Sequence, residues 1–201
     1  MNPDLQIILN DDASQFMERL KSIFGDMDRE YSRAAEHYGF DCNACTDICC
    51  QTRFYHHTYI EYLLIQEGFK TLNPETQTEI ASRAGRIVRQ AADLEKEAKP
   101  VRLMCPLNSE ALCVLYPYRP MICRLHGIPH EFQNGAGQGV QGPGCETFDR
   151  RCSSRQYFKF DRTPFYREMA ELEKEFRQAV GLSQKIKMTI AEMLSTSNIY
   201  S

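Results

Sequence analysis

The chain has 201 residues, of which 42% are hydrophobic and 25% charged. That length suits one sizeable domain and is short for two, so we expect a single domain over residues 1–201. The formal net charge of −3 gives no reason to expect nucleic acid or another polyanion as a partner.

The N-terminal stretch MNPDLQIILNDD carries no basic region and only a short apolar patch. It therefore does not resemble a secretory signal. No run elsewhere approaches the roughly 20 apolar residues that a membrane span requires. We accordingly expect a cytoplasmic protein without a membrane segment.

Three helices are predicted in the first half of the chain. An apolar stripe at helical spacing predicts the first over residues 12–38, and Gly39 ends it. A second helix begins near Thr58. The third is predicted over residues 73–99, with Asn73 as its cap and Pro74 at its first position.

The second half changes character at residue 101. Five prolines and the run NGAGQGVQGPG interrupt any helical period up to residue 160, which favours turns and short strands. Helices return over residues 163–198, where Thr163 is expected to cap one helix and Ser183 the last. The predicted fold is mainly α, with helices at both ends around an irregular cysteine-rich centre that holds few short strands.

Cysteine is the unusual residue of this composition. The nine cysteines lie at positions 42, 45, 49, 50, 105, 113, 123, 145 and 152. An odd count fits a closed disulfide framework poorly, and clustered thiols in a reducing compartment usually indicate metal or redox chemistry. The sequence thus predicts a metal-binding core at about residues 42–152.

The densest cysteine cluster is the stretch CNACTDICC, residues 42–50. Cys42 and Cys45 have the two-residue separation of ligand pairs in zinc and iron–sulfur sites. The adjacent Cys49 and Cys50 point in divergent directions, so they cannot easily share one metal ion or form an unstrained disulfide. One of them is expected to join Cys42 and Cys45, while the other faces a second centre, another part of the same cluster or packed protein.

The later cysteines favour an iron–sulfur cluster over zinc. Structural zinc sites usually pair two short ligand knuckles, whereas the cysteines from position 105 onward are widely spaced. The predicted ligands, for one or two 4Fe–4S centres with zinc as the alternative, are Cys42, Cys45, Cys49, Cys50, Cys105, Cys113, Cys123 and Cys145. Cys152 receives no role. Ligand type alone does not separate the two metals.

The segment CPLNSEALCVLYPYRPMICR, together with CNACTDICC, resembles the YkgJ-type cysteine-cluster family, the CxxCxxCC zinc- or iron-chelating domain. The matching positions are Cys105, Pro106, Cys113, Tyr116, Arg119, Pro120, Cys123 and Arg124. One departure is that three residues, not two, separate Cys45 from Cys49. The family is distantly similar to the metal-binding part of flagellin lysine N-methylases, which implies iron–sulfur-dependent methyl transfer in some relatives. No methyl-donor motif is recognisable here.

Two arginines accompany the cysteines of this motif. Arg119 and Arg124 could stabilise an anionic cluster, bind an anionic substrate or pair with surface carboxylates. Four histidines, at positions 56, 57, 126 and 130, are not needed as ligands when nine cysteines are present, although His126 lies close to Cys123 in sequence.

Two functional classes follow from these residues. In the first, the centre is reactive and performs electron or group transfer on a small molecule or protein. In the second, it is a structural zinc clip in an interaction module. An open cleft beside the metal would indicate the first class, and four buried protein ligands the second. Whether the chain is an enzyme, and on which substrate, the sequence leaves open.

Overall fold

The computed structural model of the chain describes residues 11–41 and 49–195. Its helices are α1 (Asp11–Tyr38), α2 (Tyr59–Lys70), α3 (Pro74–Lys96), α4 (Met121–Leu125), α5 (Glu146–Cys152), α6 (Thr163–Ala179) and α7 (Ile190–Ser195). Two antiparallel hairpins join β1 (Asn108–Ser109) to β2 (Leu112–Cys113) and β3 (His130–Gln133) to β4 (Gly139–Gly142). None of the helices in the described part is long and apolar enough to cross a membrane.

Helix α2 forms the centre of the core. Most of its residues are buried, as expected for a helix that is apolar on nearly all sides. Helix α1 packs against α6, where the ring of Phe16 meets Phe176 edge to face at 5.5 Å. Helix α3 packs against α7. The cysteine-bearing segments therefore rest on a helical scaffold that has its own apolar core.

The predicted mainly helical fold and the starts of the first three helices are confirmed. Helix α1 ends where Gly39 adopts a left-handed φ of 60°. Thr58 caps α2, and its hydroxyl accepts a bond from the N–H of Glu61. Asn73 caps α3 by accepting a bond from the N–H of Thr76, with Pro74 in the first turn. These termini follow from local chemistry, which is why sequence patterns locate them well.

The predicted capping residue of α6 is wrong by one position. Thr163 is the first helical residue, and the residue at the cap position, Arg162, makes no capping bond with its side chain. The side chain of Asp161 caps the helix instead, because its carboxylate accepts hydrogen bonds from both the N–H and the hydroxyl of Thr163. A carboxylate near the first turn also interacts favourably with the helix dipole.

The predicted last helix, beginning at Ser183, is also wrong. Helix α6 ends at Ala179, and α7 begins only at Ile190. Between them, Met188 forms an antiparallel bridge with His56, with N···O distances of 2.8 and 3.0 Å. Thr189 and Glu192 then cap α7 reciprocally. The long-range bridge outweighs the local helical pattern, and positions 196–198 lie outside the described residues.

Replacing Gly68 with alanine should destabilise the fold at the point where α2 meets the cysteine motif. A Cβ atom there would collide with the ring of Tyr118, whose Cδ2 and Cδ1 lie only 2.6 and 2.8 Å away. Such overpacking typically costs about 1–3 kcal/mol. Urea denaturation of the purified variant measures the loss.

The matched control is Gly85→Ala in α3. Its Cβ would meet nothing closer than the Arg89 guanidinium at 3.6 Å. This variant should gain up to about 1 kcal/mol from improved helix propensity. Equal stability of the two variants would show that the packing of Tyr118 on Gly68 contributes nothing.

Candidate functional site

Backbone contacts bring sequence-distant cysteines together on one side of α2. The N–H of Cys105 donates to the carbonyl of Cys50 at 2.8 Å. Cys113 lies opposite Asn108 in the β1–β2 hairpin, and the N–H of Asn108 donates to the carbonyl of Cys105 at 3.0 Å. Cys123 belongs to the short helix α4 that follows. We call the thiols of Cys50, Cys105, Cys113 and Cys123 the thiol group.

Electrostatic coupling links all members of the thiol group. Burial, together with negative charge on Cys50 and Cys113, raises the pKa of Cys105 to about 12. Burial likewise raises the pKa of Cys123, and charge on the other three thiols adds to the shift. The pKa of Cys113 is raised for the same two reasons. These thiols are therefore protonated at neutral pH unless a cation lies among them.

Cys50 is the exception within the thiol group. A hydrogen bond from Cys49 is the main cause that lowers the pKa of Cys50 to about 6, with further contributions from the Asn108 side chain and the charge of Arg119. Cys50 is consequently a thiolate near neutral pH. A thiolate is the form of cysteine that binds metals and acts as a nucleophile.

The thiol group is looser than a metal site. Within residues 11–41 and 49–195, no three His, Cys, Asp or Glu side chains lie close enough together to hold a metal ion. The predicted ligands Cys42 and Cys45 lie outside these ranges. The donor set is of the kind that thiophilic metals and iron–sulfur clusters take, because four thiols from separate segments influence one another's pKa.

The side chain of Asn108 is a second indication that the site fits a thiolate-bound metal centre. Asn108 is 91% buried, and its side chain adjoins the thiol of Cys50 but has no other acceptor for Nδ2 among the described residues. The Arg83 guanidinium donates to the backbone carbonyl of Asn108 at 2.8 Å and fixes its position. A buried amide with only a thiol beside it is poorly satisfied, and a metal-bound thiolate or sulfide would be a stronger acceptor.

Arg119 lies where the sequence predicted a cation. Its charge acts on both Cys50 and Cys113. The guanidinium stacks on the ring of Tyr116 at 3.5 Å, and Nε donates to the Tyr116 carbonyl at 3.1 Å. Arg119 can therefore stabilise negative charge on the thiol group without itself being a ligand.

Arg124 has different surroundings. Its buried guanidinium donates to the carbonyls of Arg119 and Pro117 and to the carboxylate of Asp28, and it stacks on Phe24 at 4.4 Å. Burial lowers its pKa, while the charge of Asp28 opposes that change. These contacts fix the segment between Cys113 and Cys123 against α1. The predicted contact with a cluster or an anion stays a prediction.

Glu61 is a residue of the site that the sequence interpretation missed. Its fully buried carboxylate accepts bonds from the N–H of Met121 at 2.8 Å and the hydroxyl of Thr58 at 2.6 Å. Burial raises its pKa, and its charge in turn raises the pKa of Cys123. The one available signal was a carboxylate within the otherwise apolar run YIEYLLI.

The remaining cysteines occupy other surroundings. Cys145 caps α5, where its sulfur accepts a bond from the N–H of Phe148 at 3.4 Å. Cys152 is buried at the other end of α5 and donates to the carbonyl of Tyr38 at 3.6 Å. Cys49 is exposed beside Cys50. The structure thus groups Cys50, Cys105, Cys113 and Cys123, while Cys145 and Cys152 flank a separate helix.

The histidine nearest the motif in sequence is His126. Its ring meets the Phe54 ring edge to face at 5.1 Å, and its carbonyl accepts a bond from the Tyr31 hydroxyl at 2.9 Å. These contacts agree with a packing role.

Comparisons with known proteins give no information on the chemistry of this site. No family model, no curated protein and no solved structure matches this chain. The resemblance to the YkgJ-type family, which rests on the motif from Cys105 to Arg124, therefore stays a prediction. What the site can do has to be argued from the thiol group and its neighbours.

Proposed function

We propose that this chain holds a cysteine-ligated metal centre, in the first place an iron–sulfur cluster of the 4Fe–4S type, that takes part in electron or group transfer. The observation that carries the proposal is the convergence of Cys50, Cys105, Cys113 and Cys123 from separate segments. Free thiols that lie close to one another add little stability to a fold. Four thiolates around a metal cation are stabilised directly by the bonds that they form to it.

The electrostatic setting supports an anionic centre. Cys50 is ionised near neutral pH, and the positive charge of Arg119 and the amide of Asn108 adjoin it. A cluster bound by four thiolates carries net negative charge, which hydrogen-bond donors and nearby cations stabilise. When bound, such a cluster would supply reversible one-electron chemistry.

Among the described residues, the sequence neighbours of Cys50 and Cys113 are exposed: Cys49 beside Cys50, and Leu112 and Val114 on either side of Cys113. With respect to these residues, a partner or small substrate can approach from this side. The cleft of about 340 Å³ in the described structure is lined by Arg124, Phe24 and Tyr118 and includes no cysteine. We therefore place the reactive side at Cys50 and Cys113.

A structural zinc clip is the second candidate. Cys105 and Cys123 are partly buried, and removal from solvent is the main cause of the raised pKa at both. Closed sites with four protein ligands are typical of structural zinc. In that case the chain would be an interaction module, and metal binding would be part of its folding free energy.

Anaerobic purification from iron-supplemented cells tests the two candidates directly. We expect a brown protein that absorbs near ~400 nm, with iron and acid-labile sulfide in similar amounts. A colourless protein with tightly bound zinc and no sulfide would contradict the iron–sulfur proposal and favour the clip. A protein with neither metal would contradict both.

Replacing Asn108 with leucine should change the electronic properties of the loaded centre. The substitution removes a buried N–H donor, and loss of a hydrogen bond to cluster sulfur lowers the reduction potential. Spectroelectrochemical titration of the brown protein measures the potential. Asn134→Leu, in the exposed turn between β3 and β4, is the control and should leave the potential unchanged. An unaltered potential in Asn108→Leu would show that the amide does not contact the cluster.

A further inference from the structure

A cleft of about 340 Å³ lies between α1, α2 and the segment that leads from β2 into α4. Its volume is at the lower end of the roughly 300–1,000 Å³ of small-molecule pockets. No cysteine among the described residues lines it, so a ligand would bind there independently of the proposed metal centre. The side chains that line the cleft determine which ligand fits.

The apolar part of the lining is held in place by the core. Phe24 of α1 and Leu64 of α2 are both buried, and Pro117 and Tyr118 come from the segment after β2. Tyr118 is itself partly buried and packs against the core. The cleft is therefore formed by side chains with fixed positions, and two of them are aromatic.

The charged part of the lining consists of two ion pairs. Lys21 Nζ lies 3.1 Å from Glu67 Oε1, which joins α1 to α2. Arg124 Nη1 lies 2.5 Å from Asp28 Oδ2. The four charges sum to zero, so an anion or a cation alone would meet as many like charges as opposite ones. A ligand that carries one charge of each sign matches this lining.

Both ion pairs can accept further bonds. Arg124 has five N–H donors, and the described residues use three of them, through two backbone carbonyls and the carboxylate of Asp28. Lys21, Glu67 and Asp28 are each about half-exposed. Exposed ion pairs contribute little stability, so their rearrangement around a ligand costs little.

We propose that this cleft binds a free neutral α-amino acid with a large apolar side chain. The carboxylate of the ligand accepts bonds from Lys21 and Arg124, and its ammonium donates to Glu67 and Asp28. Its side chain packs against the apolar lining beside Phe24. An amino acid within a peptide lacks both charges, so the ligand is the free zwitterion.

The probe is L-phenylalanine, added to the purified full chain and followed by ligand-observed NMR line broadening. A ligand of this size binds with a Kd on the order of 1 mM. Three analogues test the match: 3-phenylpropionate lacks the ammonium, phenethylamine lacks the carboxylate, and glycine lacks the ring. We expect each to bind at least tenfold more weakly than L-phenylalanine. Absence of L-phenylalanine binding at about ten times that concentration would overturn the proposal, as would equal binding of any analogue.

The variant Gly25→Leu tests where the ligand binds. Gly25 lines the cleft, and an added Cβ atom would meet only the Arg29 guanidinium, at 3.6 Å. Leucine is a better helix former than glycine, so the variant should fold and fill the cleft. We expect the Kd for L-phenylalanine to rise at least tenfold. In the matched control Gly85→Leu, on α3 and outside the cleft, the Cβ atom would meet only Arg89, also at 3.6 Å. The control should leave the Kd unchanged, and equal binding to Gly25→Leu and the wild type would overturn the assignment of the cleft.

The variant Glu67→Gln tests the charge match without adding bulk, and it stays informative if Gly25→Leu fails to fold. It leaves the cleft with a net positive charge. L-phenylalanine should therefore bind severalfold more weakly, while 3-phenylpropionate should bind more tightly than it does to the wild type. The control Glu79→Gln removes an exposed carboxylate from the ion pair with Arg83, outside the cleft, and should change neither affinity. An unchanged preference between the two ligands in Glu67→Gln would overturn the proposal of a zwitterionic ligand.

Discussion

Replacing Cys123 with serine should abolish metal binding while most of the helical structure remains. Cys123 is partly buried, and charge on each of the other members of the thiol group raises its pKa. A serine hydroxyl is a poor ligand for soft metals, so the centre would lose one of its protein ligands. Helices α1, α2 and α6 have an apolar core of their own and should stay folded. Iron, zinc and sulfide analysis and far-UV circular dichroism measure the two effects.

The matched control for this substitution is Cys152→Ser. Cys152 is also buried, but it lies on α5, and its sulfur donates to the carbonyl of Tyr38, a bond that a serine hydroxyl can also make. This variant should keep the full metal content. Full metal retention in Cys123→Ser would contradict its assignment as a ligand. Loss of helical structure together with the metal would favour the zinc clip over a reactive centre.

Acidification should destabilise the protein through His56. The imidazole is 2% exposed, its Nε2 has no hydrogen-bond partner among the described residues, and burial lowers its pKa to about 4 from the ordinary 6.5. Between these pH values the unfolded chain binds the proton more readily than the folded chain does. Stability is therefore lost as the pH falls from 6.5 towards 4, by about 3 kcal/mol at pH 4.

Urea denaturation of the wild type and of His56→Phe at several pH values tests this result. The variant should lose less stability between pH 7 and pH 4, because its ring cannot be protonated. Burial raises the pKa of Glu61 and Glu173, which gives the opposite dependence, but both proteins share those groups. The exposed His57→Gln is the control and should retain nearly the full acid sensitivity. Parallel stability profiles for the wild type and His56→Phe would contradict the prediction.

The parts of this fold that the sequence predicts well are those set by neighbouring residues. The start of α2 at Thr58 and that of α3 at Asn73 depend on side chains that bond within one turn. The last helix was predicted too early because its start depends on the bridge between Met188 and His56, which lie far apart in the chain. Local patterns contain no information about such a contact.

The same distinction applies to the candidate site. Cysteine spacing and the resemblance indicated Cys105, Cys113 and Cys123 as members of one site, and the structure brings them together with Cys50. The sequence could not indicate Glu61, because its carboxylate joins the site only through the bond it accepts from the N–H of Met121, which is 60 positions away. Nor could the sequence distinguish the surroundings of Arg119, which lies on the Tyr116 ring, from those of Arg124, which is buried and paired with Asp28.

The separation of the thiol group along the chain has a consequence for biosynthesis. Cys50 and Cys123 are 73 positions apart. At roughly 5–20 residues per second, a ribosome needs about 4–15 s to add the chain between them. During that interval Cys50 has been translated while the segment bearing Cys123 does not yet exist. For the proposed metal centre, oxidation or wrong metal binding at the earlier thiols would therefore compete with completion of the chain, and delivery of the cluster after release would avoid incomplete centres.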